Sequence, residues 1–216
     1  MKTKYAWGLV TLLLLAHQMY PQGLQLEPMA GHAGFYYQHI LGTPLDNHTG
    51  FGVLNISSAS ARYSNSLPPE LMTQIYLTHQ VWKYLSVGAG MIYVTAAGMR
   101  PTAMGQFVRA YKEFSLVIFP RVDLWKNPSM ELMTIMEYRP KIASTLALYS
   151  RIQLQTIWNK YSHLKSSQHL RLGLDKGSIQ FGLAVVLEEY GTGFSTYQNY
   201  GLFIRKELKN IPPEKR

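Results

Sequence analysis

The sequence predicts an all-β fold: an up-and-down antiparallel transmembrane β-barrel of about 10–12 strands, preceded by an N-terminal signal peptide. Three observations lead there. Apolar and polar residues alternate with a period of two through most of the chain after residue 30. Charged residues are 15% of the 216 residues while aromatics reach 12%, against about 25% charged in soluble domains. No segment is continuously apolar for the roughly 20 residues a spanning helix needs, so a closed barrel is the route left for crossing a membrane.

The first element is the N-terminal segment. Lys2 and Lys4 precede AWGLVTLLLLA at residues 6–16. A basic start and an apolar run of this length suit a signal peptide and are too short to span a bilayer as a helix. The expected organisation is a signal peptide at 1–23, the barrel at 24–208 and a polar tail, KNIPPEKR, at 209–216.

Seven stretches then alternate weakly: 32–41, 51–64, 71–81, 85–96, 102–111, 114–124 and 130–139. Four alternate clearly: 144–158, 168–175, 178–188 and 197–208. In 178–188, Ile179, Phe181, Leu183, Val185 and Leu187 share one face, opposite Gln180, Gly182 and Glu188. Eleven strands would leave the two ends of the barrel in different compartments, and bacterial barrels use an even number. A further strand near 24–30 makes twelve; a plug or periplasmic segment before Phe51 would make ten. Short turns are expected at 82–84, 112–113, 140–143 and 176–177. Longer polar loops are expected at 65–70, 97–101, 125–129, 159–167 and 190–196. Aromatics such as Trp82, Tyr84, Trp125, Tyr138 and Tyr161 gather near strand ends, as an interfacial girdle does.

If the apolar face meets lipid, the polar face lines the lumen. The candidate lumen residues are Arg62, Arg109, Arg121, Asp123, Glu131, Glu137, Arg139, Arg151, Arg171, Glu188, Arg205 and Glu207. An Arg or Lys facing lipid at the bilayer midplane costs about 2–4 kcal/mol, which drives these charges inward. There, arginine and carboxylate pair in forked geometry. Two roles suit such a lumen: a salt-bridged network that fills a narrow barrel, or a charged path for a small anionic solute. The near balance of signs favours the network, and a structural role or a narrow passive pore. A secreted soluble barrel that binds a hydrophobic ligand would alternate in the same way with its faces reversed.

Chemistry is sparse. The chain has no Cys, which excludes disulfides, thiolate metal sites and a lipoprotein anchor. The net charge is +9, but the basic residues are scattered, with no basic–aromatic patch for nucleic acid. His32 and His39 fall on opposite faces of one strand, so no metal and no cofactor are expected. No catalytic residue is assigned. A hydrolase or acyltransferase using His163 and His169 with Ser162, Ser166 and Ser167 on the outer rim is the remaining enzymatic alternative. Gly88 and Gly90 open no helix, which removes a phosphate-loop reading and leaves relief of crowding in a barrel wall.

LALYSRIQLQ (146–155), HLRLGLDKGSIQFGLAV (169–185) and YGLFIRKEL (200–208), with weaker echoes in GAGMIYVTAAGMRP (88–101) and FPRVDL (119–124), resemble a group of outer-membrane barrel proteins of Bacteroidetes-type bacteria. The resemblance implies an outer-membrane barrel of a Gram-negative cell, with membrane lipid and the barrel-insertion machinery as partners. It carries over no activity and no functional residue. One departure concerns insertion: the tail follows Leu208 where many such barrels end on an aromatic, leaving Phe203 as an internal candidate.

Overall fold

The computed structural model describes residues 23–46, 48–64 and 69–208. The expected signal segment, apart from Gly23, and the polar tail lie outside the described residues. The chain forms β1 (Leu24–Gly31), β2 (Gly34–Pro44), β3 (Phe51–Arg62), β4 (Glu70–Trp82), β5 (Leu85–Val94), β6 (Gly98–Tyr111), β7 (Phe114–Asp123), β8 (Ser129–Tyr138), β9 (Lys141–Ala143), β10 (Leu146–Asn159), β11 (His163–Lys176), β12 (Ile179–Tyr190) and β13 (Ser195–Leu208).

Each strand pairs antiparallel with its neighbour, and β1 pairs with β13 from Leu24↔Leu208 to Gly31↔Gly201, which closes the sheet. The three-residue β9 pairs only with β10 and continues the path of β8 past Arg139 and Pro140. Pro140 has no N–H to give the ladder, so the strand breaks there. The thirteen segments are therefore twelve staves of an up-and-down barrel. β1 is the strand that makes the number even.

Both described ends of the barrel, Leu24 and Leu208, lie at one rim, here called the terminal rim. The two-residue links 83–84, 112–113 and 177–178 turn there. At the opposite rim two links are much shorter than the sequence suggests. Residues 160–162 alone connect β10 to β11, and 191–194 alone connect β12 to β13. Ser, His and Lys in 163–167 read as loop but belong to β11, because a strand end lined by polar groups shows no apolar alternation.

The side chains confirm the direction of the faces. Outward positions of neighbouring strands align leucine with leucine: Leu172↔Leu183 and Leu183↔Leu202. Leu183 is 62% and Leu202 64% exposed. Burying such a side chain is worth about 1.5–3 kcal/mol, so a belt of them on the outside requires hydrocarbon around it. With the ring of twelve staves closed by the β1–β13 pairing, this is a membrane-spanning architecture. It reverses the soluble-barrel alternative, which needed that apolar face inside. The belt carries a hydrogen-bonded polar patch on β2–β4. There His39 Nε2 lies 2.7 Å from Asn55 Oδ1, Asn55 donates to the Gln74 carbonyl, and Ser57 and Thr73 hydroxyls meet at 2.7 Å. These outward groups pair with one another, which lowers their cost in the bilayer, while His39 Nδ1 has no hydrogen-bond partner.

The inward face carries two apolar clusters. Leu54, Ile56, Tyr76, Met104, Phe119, Met133 and Ile135 pack along β3–β8. Met29, Tyr36, Tyr149, Ala184, Val186 and Phe203 pack on the other side. The wall bends tightly around them. A Cβ on Gly90 would stand 1.8 Å from the Ile75 carbonyl oxygen, and one on Gly182 would stand 2.2 Å from that of Leu172. Only glycine allows this approach.

Candidate functional site

The charged lumen is built in tiers. Nearest the terminal rim, the Glu137 carboxylate on β8 accepts from Arg205 on β13 and from Arg139, each at 2.5 Å. Arg139 reaches on to Glu207 at 2.6 Å and Asp175 at 3.4 Å. Tyr149 lies among them, its hydroxyl 2.5 Å from Arg205 Nη1 and its ring tilted against that of Phe203, 5.7 Å between centroids.

At mid-height Glu27 on β1 accepts from Arg151 on β10 at 2.8 Å and from Arg171 on β11 at 2.9 Å. Arg151 also donates to Gln38 and Gln153. Arg171 donates to the carbonyls of Leu170 and Val185. Arg121 on β7 pairs with Glu131 at 2.8 Å and with Asp123, which accepts from the Ser129 hydroxyl. Arg100 approaches Asp123 at 3.5 Å.

At the opposite rim Lys165 bridges Glu70 at 2.8 Å and Glu188 at 2.9 Å. Arg62 lies 3.9 Å from Glu188 and sits over the Tyr197 ring at 3.8 Å. This tier is a polar collar with an aromatic lining.

The structure thus brings Arg62, Arg121, Asp123, Glu131, Glu137, Arg139, Arg151, Arg171, Glu188, Arg205 and Glu207 to the inner face and into ion pairs. Arg109 is the correction. Met104 and Val108 on β6 point inward, so Arg109 points outward, exposed beside the Tyr84 ring. It lies two residues before the end of β6 at Tyr111, where the penalty for a charge falls to about 0–1 kcal/mol and a long side chain can reach the interface.

Glu27, Glu70, Arg100, Lys165 and Asp175 join the pairs beyond the candidate lumen residues. Glu27 lies in the stretch whose strand character was open. Lys165 lies where a loop was expected. Period-two counting outward from Ser167, once β11 is extended, is the signal that finds Lys165.

Eight basic side chains (Arg62, Arg100, Arg121, Arg139, Arg151, Lys165, Arg171, Arg205) face eight acidic ones (Glu27, Glu70, Asp123, Glu131, Glu137, Asp175, Glu188, Glu207) in these contacts. The ion-pair network is therefore formally neutral, which weakens the anion-path reading.

The rim histidines separate. His169 is 5% exposed inside the lumen, edge-on to Tyr36 at 4.8 Å. His163 stays at the rim, 2.8 Å from Ser166 Oγ. Ser167 turns inward toward Gln155. Among the described residues no three His, Asp or Glu side chains are placed to hold a metal.

No protein-family model matches the chain, and no curated protein matches it. Solved structures do. The NanC porin superposes with a TM-score of 0.50 at 12% identity, covering 86% of this chain and all of that one. The KdgM porin gives a TM-score of 0.49 at 10% identity, covering 86% of this chain and 98% of that one. At such identity the NanC likeness establishes a shared barrel fold and leaves the activity to be argued from the residues.

Proposed function

We propose that the protein is an outer-membrane barrel of a Gram-negative envelope whose bore is sealed, so that it serves as a membrane-embedded structural body and not as an open pore. The apolar outer belt, the complete ring of paired strands and the even strand number support the location.

One observation carries the sealing. Every stave contributes a buried inward side chain to the interior: Met29, Gln38, Ile56, Tyr76, Ile92, Met104, Phe119, Met133, Arg151, Arg171, Ala184 and Phe203. Tyr149 and Phe119 have no exposed surface at all. A water-filled channel would leave such residues wet. The ion pairs add stiffness, since each buried charge is held by at least one opposite charge.

The test is reconstitution of the folded, heat-modifiable barrel into planar bilayers. The expected record shows no steady single-channel current under an applied voltage. A stable, reproducible unit conductance would overturn the sealed reading and favour the narrow pore. Recovery of the protein in the soluble fraction without detergent would overturn the membrane reading itself.

A further inference from the structure

At the rim opposite the termini, two side chains meet that take no part in the lumen network. The β10–β11 ladder slips between Ile157 and Trp158, so that Lys165 faces Ile157 while His163 faces Trp158. Strict alternation would send His163 inward with Lys165 and Ser167, and Ser166 outward. The bulge re-aims the histidine. Its Nε2 comes to 2.8 Å from Ser166 Oγ, and its Nδ1 lies 3.0 Å from the Gly191 carbonyl oxygen.

A carbonyl oxygen only accepts. The neutral ring that makes this contact therefore carries its proton on Nδ1 and leaves Nε2 as a bare acceptor facing the Ser166 hydroxyl. The orienting carbonyl is itself fixed. Gly191 has φ +65°, and its N–H donates to the Leu164 carbonyl at 3.0 Å. An Asn159 side chain that accepts from the N–H groups of Tyr161 and Ser162, both at 2.8 Å, ties the turn leading into His163. The Phe194 ring stacks on His163 at 5.0 Å between centroids. Thr156, paired with Ser166 across the ladder, offers its hydroxyl oxygen 3.0 Å from Ser166 Oγ as a second acceptor for the serine proton, which a turn about the Cβ–Oγ bond brings to His163 Nε2.

A nucleophile, a base within hydrogen-bond reach and a third group orienting the base make up the arrangement used for acyl transfer. We propose that Ser166 and His163 are a nucleophile–base pair that hydrolyses carboxylic esters of long-chain acyl groups at the membrane interface. The surroundings set the substrate class. Ser166 lies on the outer wall at the rim, with Leu164 and Leu170 exposed on the same face of β11. A membrane lipid presents its ester links at that level, with the acyl chains against the wall below.

Ser166 Oγ attacks the acyl carbonyl carbon as its proton passes to His163 Nε2. The bond from that carbon to the alcohol oxygen breaks, and the departing alcohol takes the proton. Water then attacks the acyl-serine, its proton passing through His163 to Ser166 Oγ, and the fatty acid leaves. The Thr156 hydroxyl can rotate to donate to the oxygen that gains charge.

The substrate class rests on the membrane reading of the wall; the reactivity of Ser166 does not. The first probe is a fluorophosphonate applied to the folded barrel in detergent, with heat-modifiable migration as the folding control for every variant. Labelling at Ser166 is expected, absent in Ser166→Ala and at least about 100-fold slower in His163→Gln. No labelling above Ser166→Ala, labelling of another serine, or labelling indifferent to His163→Gln each overturns the pair. The second measurement is fatty-acid release from phospholipid vesicles and from lipopolysaccharide. Release from either identifies the lipid, and release from neither by a labelled protein overturns the lipid assignment. A soluble protein that still labels at Ser166 would sink the membrane reading and spare the serine.

Discussion

Glu27 shows what one residue does in this lumen. Its carboxylate is 3% exposed and joins Arg151 to Arg171. Removing one partner of a buried ion pair strands the other charges without water, at about 3–5 kcal/mol. Glu27→Ala is therefore expected to lower the temperature at which the barrel loses its folded gel mobility. An unchanged midpoint would mean that water reaches these guanidinium groups and the lumen is wetter than its packing indicates. Asp46 acts at the surface, in the link between β2 and β3. It accepts hydrogen bonds from the Thr49 hydroxyl and the N–H groups of Thr49 and His48, and these hold its carboxyl below the usual carboxylate value. A lowered folded pKa stabilises the link above the unfolded value of about 3.9, and that support is lost as pH falls through the folded value. Protection of the Thr49 amide, its exchange rate relative to an unfolded peptide at the same pH, should be lost on acidification in that range and should be absent at all pH values in Asp46→Ala. Arg121, Arg151, Arg171 and Arg205 point inward, the direction in which the bilayer penalty sends mid-strand arginines and the reason their place is legible in the sequence. Arg109 points outward, because the same penalty fades near a strand end.

At the scale of elements, legibility divides the barrel in two. On β10–β13 the outward positions are mostly Leu, Ile, Val and Phe, and the inward ones include Arg, Gln, Glu and Asp, so alternation shows in the sequence. On β3–β8 both faces carry large apolar residues. Leu54, Ile56, Tyr76 and Phe119 point inward while Ile75 and Leu77 point outward. Asn55, Ser57 and Thr73 point outward where an apolar residue is expected. The period of two is diluted there without being broken. The bulge at Ile157 and Trp158 left no trace in the sequence, because nothing in the residue types marks the slipped register. The glycines are where an element turns a local choice into closure. Gly182 pairs with Gly173 on β11, and an added Cβ would meet the Leu172 carbonyl at 2.2 Å and Gly173 Cα at 2.5 Å. The backbone of β11 cannot yield as a side-chain tip would. Gly182→Val is expected to abolish heat-modifiable folding, whereas Leu183→Val, one residue on and facing outward, is expected to leave it intact. A Gly182→Val barrel that refolds with wild-type mobility would show that the wall relaxes at this seam.

At the scale of the whole molecule, sealing and charge balance are linked, and opening the seal should expose the balance. Tyr149 fills the space between Glu137, Arg205 and Phe203 and has no exposed surface. Removing it together with a charged neighbour vacates one sector of the buried interior without cutting a strand. Tyr149→Gly with Arg205→Ala leaves seven basic against eight acidic side chains in the network. Tyr149→Gly with Glu137→Ala leaves eight against seven. In a narrow lumen with low-dielectric walls a single unbalanced charge sets the sign of the field along the path. The first variant should therefore conduct with a preference for cations and the second with a preference for anions. Reversal potentials measured across a salt gradient should then have opposite signs, while the wild type passes no steady current. The comparison separates two ideas that a single variant confuses. Currents of the same selectivity in both would mean that the path runs elsewhere, past the apolar cluster of β3–β8. Silence in both, with folding intact, would place the seal in that cluster and not at Tyr149.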